Sequence, residues 1–67
     1  MPSQVKELAQ ARQQIEYAQQ RIVEQIDLIE RLQADGHEVK LAELLLVTLL
    51  DVKLKFTRHL DALEGKP

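Results

Sequence analysis

A seven-residue repetition of apolar side chains runs through the first half of the chain, and neither glycine nor proline interrupts it. Its members are spaced by seven and have companions three residues on: Leu8, Ile15, Ile22 and Ile29, with Ala11, Ala18, Gln25 and Leu32. Four such repeats are typical of a helix that packs in a coiled coil. Helix-forming residues dominate the stretch, so we predict a first helix over about residues 4–35, with Ser3 capping its start.

The middle of the chain contains a single turn signal. Gly36 follows Asp35 and suits the left-handed residue that commonly closes a helix. With His37 it forms a predicted turn at residues 36–38, and a second helix is expected over about residues 39–64. Because so short a link forces two helices to lie side by side and antiparallel, the predicted fold class is all-α. The chain is expected to be one helical-hairpin (αα-hairpin) domain over residues 1–67.

The second helix carries more apolar surface than one neighbour can cover. One stripe matches the row on the first helix: Ala42, Leu45, Leu49, Val52, Phe56, Leu60 and Leu63. A second stripe holds Val47, Leu50 and Leu54, with Leu46 and Val39 bridging the two. Leaving such side chains in water forgoes about 1.5–3 kcal/mol each. We therefore predict a dimer or partner interface at Leu46, Val47, Leu50 and Leu54.

Two kinds of cover are compatible with this pattern. A second copy of the hairpin would give a homodimer with the architecture of a four-helix bundle. A different helical protein with a matching groove is the alternative. At 67 residues a lone chain buries only about 60% of its unfolded surface, and without cysteine no disulfide can compensate. Oligomerisation is the remaining common route to stability.

Composition narrows the function classes. A formal charge of −2 and only two aromatic residues, Tyr17 and Phe56, argue against a nucleic-acid binder. The longest apolar run, at residues 44–50, is too short to cross a bilayer, and the amino terminus lacks a secretory signal. The expectation is a soluble, cytoplasmic protein that does not bind membranes.

The sequence offers little chemistry. His37 in the turn and His59 at the rim of the apolar stripe are read as structural, and no metal-ligand pair occurs within one helix. The carboxylates of the first helix are expected on a solvated face, with Asp27 and Arg31 spaced for a surface ion pair. We predict no enzymatic activity, no cofactor and no metal, with a ligand carrier as a further alternative. Gln25 either fixes register within the apolar row or lies at its edge in solvent.

The stretch Arg31-Leu-Gln-Ala-Asp-Gly-His-Glu-Val-Lys-Leu-Ala-Glu-Leu-Leu resembles a family of short uncharacterised bacterial helical-hairpin proteins, with the likeness running from about Arg21 to Leu63. The resemblance implies a helical hairpin and no known activity. In those relatives Asp-Thr usually follows Gly-His, whereas Glu38 and Val39 stand here, so weaker capping of the second helix is expected. A second histidine of the relatives is replaced by Phe56, so any site built on that pair would be missing.

In architecture alone, the layout is similar to that of Rop-like RNA-loop-binding proteins, which are dimers of helical hairpins. Fold by itself does not transfer function. The leading interpretation is a small, non-enzymatic structural or protein-interaction module that acts as a homodimeric four-helix bundle. The alternative is a Rop-like regulator that binds RNA or DNA through the outer face of the first helix, where Lys6, Tyr17 and Arg31 lie among carboxylates.

Overall fold

The chain forms a two-helix antiparallel hairpin in a computed structural model, which describes the backbone of residues 2–65 and the side chains of residues 5–65. Helix α1 spans Pro2–Ala34 and helix α2 spans Lys40–Leu63. The two helices pack against each other, and residues 2–65 contain no strand. The all-α hairpin predicted from the heptad repeat and the single central glycine is therefore confirmed.

Helix α1 begins earlier than the sequence suggests. Pro2 is its first residue, a position where proline is favoured because its missing N–H would have no partner there. Ser3 consequently lies inside the first turn instead of preceding it, so the predicted cap position is wrong. The side chain of Ser3 lies outside the described residues.

The turn between the helices is closed by backbone hydrogen bonds. Gly36 has a φ of +75°, the left-handed conformation predicted for it. The N–H of His37 donates to the carbonyl of Leu32 at 2.8 Å, and that of Gly36 donates to Gln33 at 3.1 Å. This is the hydrogen-bond pattern of a Schellman motif, which satisfies carbonyls left free at a helix end.

The start of α2 is capped from the residue before its N-cap. Val39 occupies the N-cap position and makes no side-chain capping hydrogen bond. Instead, one carboxylate oxygen of Glu38 accepts from the N–H groups of Val39 and Lys40, at 3.0 and 2.9 Å. A carboxylate at this end of a helix is also favoured by the helix dipole. Glu38 thus caps the start of α2 with its own carboxylate.

The buried residues of the hairpin all belong to the heptad row of α1, which we call the α1 seam. Within the described side chains the buried members are Ala11, Ala18, Ile22, Gln25 and Ile29. Small alanines allow α2 to approach closely, and the larger side chains of α2 then cover them. No residue of α2 is itself buried, because a single neighbour covers only part of each large side chain.

The α2 seam differs from the predicted stripe at Leu45, whose place is taken by Leu46, and it also includes Lys53. Leu45, assigned to the stripe from the sequence, is 43% exposed, whereas Leu46 and Lys53 are half-buried. The half-buried residues of the row toward α1 are Ala42, Leu46, Leu49, Val52, Lys53, Phe56, Leu60 and Leu63, so six of the seven predicted members are retained. Leu45 and Leu46 lie four and three residues before Leu49, so helical spacing alone could not separate them. Lysine fits the seam because its aliphatic stem packs while the ammonium reaches the edge.

The hairpin is a single layer of two helices, and its accessible surface is larger than that of a compact protein of the same mass. Its Cα trace measures 53 × 19 × 13 Å. The accessible surface is 5336 Å². A compact monomer of this mass exposes about 4,300 Å², so the hairpin exposes about 1,000 Å² more. Stable domains usually enclose a core between two layers, which one hairpin cannot do.

Candidate interaction surface

Polar contacts between the helices define the two sides of the layer. Lys53 donates a hydrogen bond from Nζ to the Oε1 atom of Gln19. Nearer the free ends, a guanidinium nitrogen of Arg12 lies 2.9 Å from a carboxylate oxygen of Glu64. Gln19 is seven residues after Arg12, so both contacts lie on the same side of the α1 seam.

An apolar patch continues from the Gln19–Lys53 contact toward the turn. Val23 and Ile26 follow Gln19 at four and seven residues, and Leu50 and Leu46 precede Lys53 at three and seven, so all four share that side. Val47 and Leu54 lie three residues before and four residues after Leu50, in a row farther from α1. We call this set the apolar face: Val23, Ile26, Leu46, Val47, Leu50 and Leu54.

Most of the apolar face is open to solvent in the single chain. Val47, Leu50 and Leu54 are 63%, 49% and 47% exposed, and Val23 is 55% exposed. Leu46 is half-buried because it also belongs to the α2 seam. The four residues predicted as an interface therefore lie together, although Leu46 serves partly within the hairpin. Whether another chain covers them stays a prediction.

Sequence reasoning missed the contribution of α1. Val23 and Ile26 lie outside the α1 seam, and the interface predicted from the sequence included no residue of α1. Val23 and Ile26 follow Gln19 by four and seven residues, so helical spacing places them on the same side of α1 as Gln19. This spacing points to the interface only once the side of α2 that lies beside Gln19 is known.

A smaller apolar cluster lies on the other side of the layer. Gln14 and His59 line one cavity there, and seven-residue steps from them lead to Leu28 on α1 and Leu45 on α2. Leu41 precedes Leu45 by four residues. We call Leu28, Leu41 and Leu45 the opposite cluster; all three are exposed. It lies close to the turn, and the exposed Arg21 occupies the same row between Gln14 and Leu28.

Gln25 lies in the seam and not at its edge. Its side chain is 7% exposed, and its Nε2 atom donates to the backbone carbonyl of Ala42 at 2.8 Å. Of the two readings left open by the sequence, the structure supports a polar residue inside the apolar row. Because the contact joins one point of α1 to one point of α2, it favours a single register of the hairpin.

Replacing Gln25 by leucine is expected to leave the melting temperature unchanged or to raise it, while loosening the register. The carbonyl of Ala42 keeps its place in the hydrogen-bond ladder of α2, so no buried acceptor is orphaned. Replacing Gln25 by alanine leaves a cavity as well and should cost about 1–2 kcal/mol. Thermal melting and the line widths of amide NMR signals measure the two effects. A large loss of stability in Gln25→Leu would contradict this account.

The titratable candidates lie at the surface. His37 is exposed in the turn, where its backbone N–H donates to the carbonyl of Leu32 at the end of α1. His59 is exposed at the rim of the seam, as predicted. The four carboxylates expected on a solvated face are all exposed: Glu16, Glu24, Asp27 and Glu30. The predicted surface pair is confirmed, with Arg31 and Asp27 2.7 Å apart.

Two open depressions lie beside the α1 seam on the side of the opposite cluster. The larger, of about 430 Å³, contains both aromatic residues of the chain and three glutamines: Gln10, Gln13, Gln14, Tyr17 and Phe56. The smaller, of about 210 Å³, lies beside His59. Among the described residues, no three histidine, aspartate or glutamate side chains are grouped closely enough to hold a metal ion. Neither described helix has a stretch long and apolar enough to span a bilayer.

Comparison with protein-family models, with curated proteins and with solved structures gave no match. Of what the resemblance to short bacterial hairpin proteins implied, the structure shows the two-helix hairpin. The candidate site rests on the geometry of the apolar face.

Proposed function

We propose that the protein is a small, non-enzymatic interaction module that acts as a homodimer, with two hairpins forming a four-helix bundle. The observation that carries the proposal is the exposure of the apolar face, above all Val47, Leu50 and Leu54 of α2. Soluble monomers rarely leave so many neighbouring aliphatic side chains in water, and patches of this kind mark contact surfaces.

The exposed surface agrees in size with a permanent dimer. By the usual relation between mass and surface, a compact protein of twice the chain mass exposes about 7,200 Å². Two separate hairpins each expose 5336 Å². If two hairpins associated into so compact a dimer, they would bury about 3,500 Å² of accessible surface in total. That area lies within the range of about 2,000–5,000 Å² found for obligate homodimers. A second layer would also enclose α2, which has no buried residue on its own.

Sedimentation equilibrium at micromolar concentration tests the proposal. The expected result is a species of twice the 7.7 kDa chain mass, with a melting temperature that rises with protein concentration. A stably folded monomer whose melting temperature is independent of concentration would contradict the homodimer.

The Rop-like alternative is separated by an electrophoretic mobility shift with pooled cellular RNA at low salt. Electrostatic, non-specific binding appears first under those conditions. The carboxylates Glu16, Glu24 and Glu30 on exposed parts of α1 disfavour a polyanion, so no shift is expected. An RNA shift that weakens with added salt would favour the alternative function.

A further inference from the structure

We infer that the second copy docks on the apolar face, with Val23 and Ile26 of α1 beside the α2 residues, and that the opposite cluster stays outside the dimer. The inference rests on the proposed homodimer and adds which of two apolar surfaces forms it. It also adds α1 to an interface that the sequence assigned to α2 alone.

Position along the hairpin is the first argument. Leu50 is the eleventh of the 24 residues of α2, so the apolar face lies at the middle of that helix. A two-fold axis there lets two hairpins overlap along nearly all of α2, whichever way the partner runs. Leu41 is the second residue of α2 and Leu28 lies six residues before the end of α1. An axis through that cluster, with antiparallel hairpins, would leave most of both outside the contact.

The polar residues on each side give the second argument. On the apolar face, the Gln19–Lys53 hydrogen bond closes the patch toward the free ends, so the ammonium already has an acceptor at the rim. Interfaces commonly have such an apolar centre with a polar rim. On the other side, exposed Arg21 occupies the middle of the row that leads to Leu28. A second copy that covered the whole of that side would also cover this guanidinium, which is costly without a partner charge.

The number of large apolar side chains is the third argument. The apolar face has five exposed members and the half-buried Leu46, drawn from both helices. The opposite cluster has three, and the half-buried Val52 follows Leu45 by seven residues on the same side. The larger surface, which both helices build, is the one able to supply the area that a permanent dimer needs.

Matched charge substitutions test the assignment. Val23→Glu and Leu50→Glu each place a carboxylate on the apolar face, and Leu28→Glu and Leu41→Glu place one on the opposite cluster. All four sites are exposed in the single chain, and glutamate is at least as good a helix former as valine. Sedimentation equilibrium measures the dimer dissociation constant of each variant, and circular dichroism measures its helix content.

The first pair is expected to weaken dimerisation by about 30-fold or more, with or without loss of helix. The second pair should leave both measurements close to wild type. Dimer loss in Leu28→Glu or Leu41→Glu would overturn the inference while leaving the homodimer intact, as would an unaffected Val23→Glu. A monomeric wild-type chain would instead remove the proposed function itself.

A spin-label distance gives a second readout that leaves the apolar face unaltered. The chain has no cysteine, so Leu28→Cys carries a unique label. If the apolar faces meet, the two labels lie on the outer sides of two stacked helix layers, about 25 Å or more apart. If the opposite clusters meet, they lie within about 15 Å, which would overturn the inference.

Discussion

Replacing Ile22 by alanine is expected to lower the melting temperature by about 8–40 °C. Ile22 is 5% exposed and lies near the middle of the α1 seam. Truncating a buried isoleucine to alanine costs about 2–5 kcal/mol, because the lost contacts and the cavity add together. Each kcal/mol shifts the melting temperature of a domain this small by about 4–8 °C. Thermal unfolding followed by circular dichroism measures the change.

The control for Ile22→Ala is Leu28→Ala on the same helix. Leu28 is 44% exposed, so its truncation removes fewer contacts and leaves no closed cavity. A loss of under about 1 kcal/mol is expected there. Equal losses at the two positions would mean that the α1 seam is not the core of the protein.

Enlarging Ala18 to leucine is the second substitution with a large expected effect, although it adds an apolar group. Ala18 is 3% exposed in the seam, where the short side chain lets α2 lie close. A larger side chain there must push the helices apart or adopt a strained rotamer, at a cost of about 1–3 kcal/mol. The melting temperature should therefore fall by about 5–20 °C.

Ala9→Leu is the matched control for Ala18→Leu. Ala9 is exposed on the same helix, and both variants make the same change in composition and helix propensity. A change within about 0.5 kcal/mol is expected for such a surface site. An Ala18→Leu variant as stable as wild type would contradict the conclusion that the two helices lie close together at Ala18.

Local signals were sufficient for the hairpin and for the α1 seam. Heptad spacing placed Ala18, Ile22 and Ile29 on one face, because a helix repeats its facing positions nearly every seven residues. Gly36 marked the turn because only a residue without Cβ adopts its positive φ at little cost. These features depend on neighbours within a few residues along the chain.

The α2 seam and the full apolar face depended on the partner helix. Hydrophobicity favoured Leu45 for the α2 seam and gave no reason to include Lys53, yet Leu45 is exposed and Lys53 is half-buried beside Val52. Lys53 finds an acceptor for its ammonium in Gln19, 34 residues away in the chain. No pattern within α2 contains that information.

The amino-acid order by itself determined that this chain makes two helices, where the chain reverses, and which face of α1 is covered. Those outcomes follow from backbone propensity and helical periodicity, which act between near neighbours. Only the tertiary structure decided that Leu46 and Lys53 line the α2 seam and that Val23 and Ile26 join Leu50 on one surface. These placements are set by contacts between residues distant in the chain, such as Gln19 with Lys53 and Gln25 with the carbonyl of Ala42.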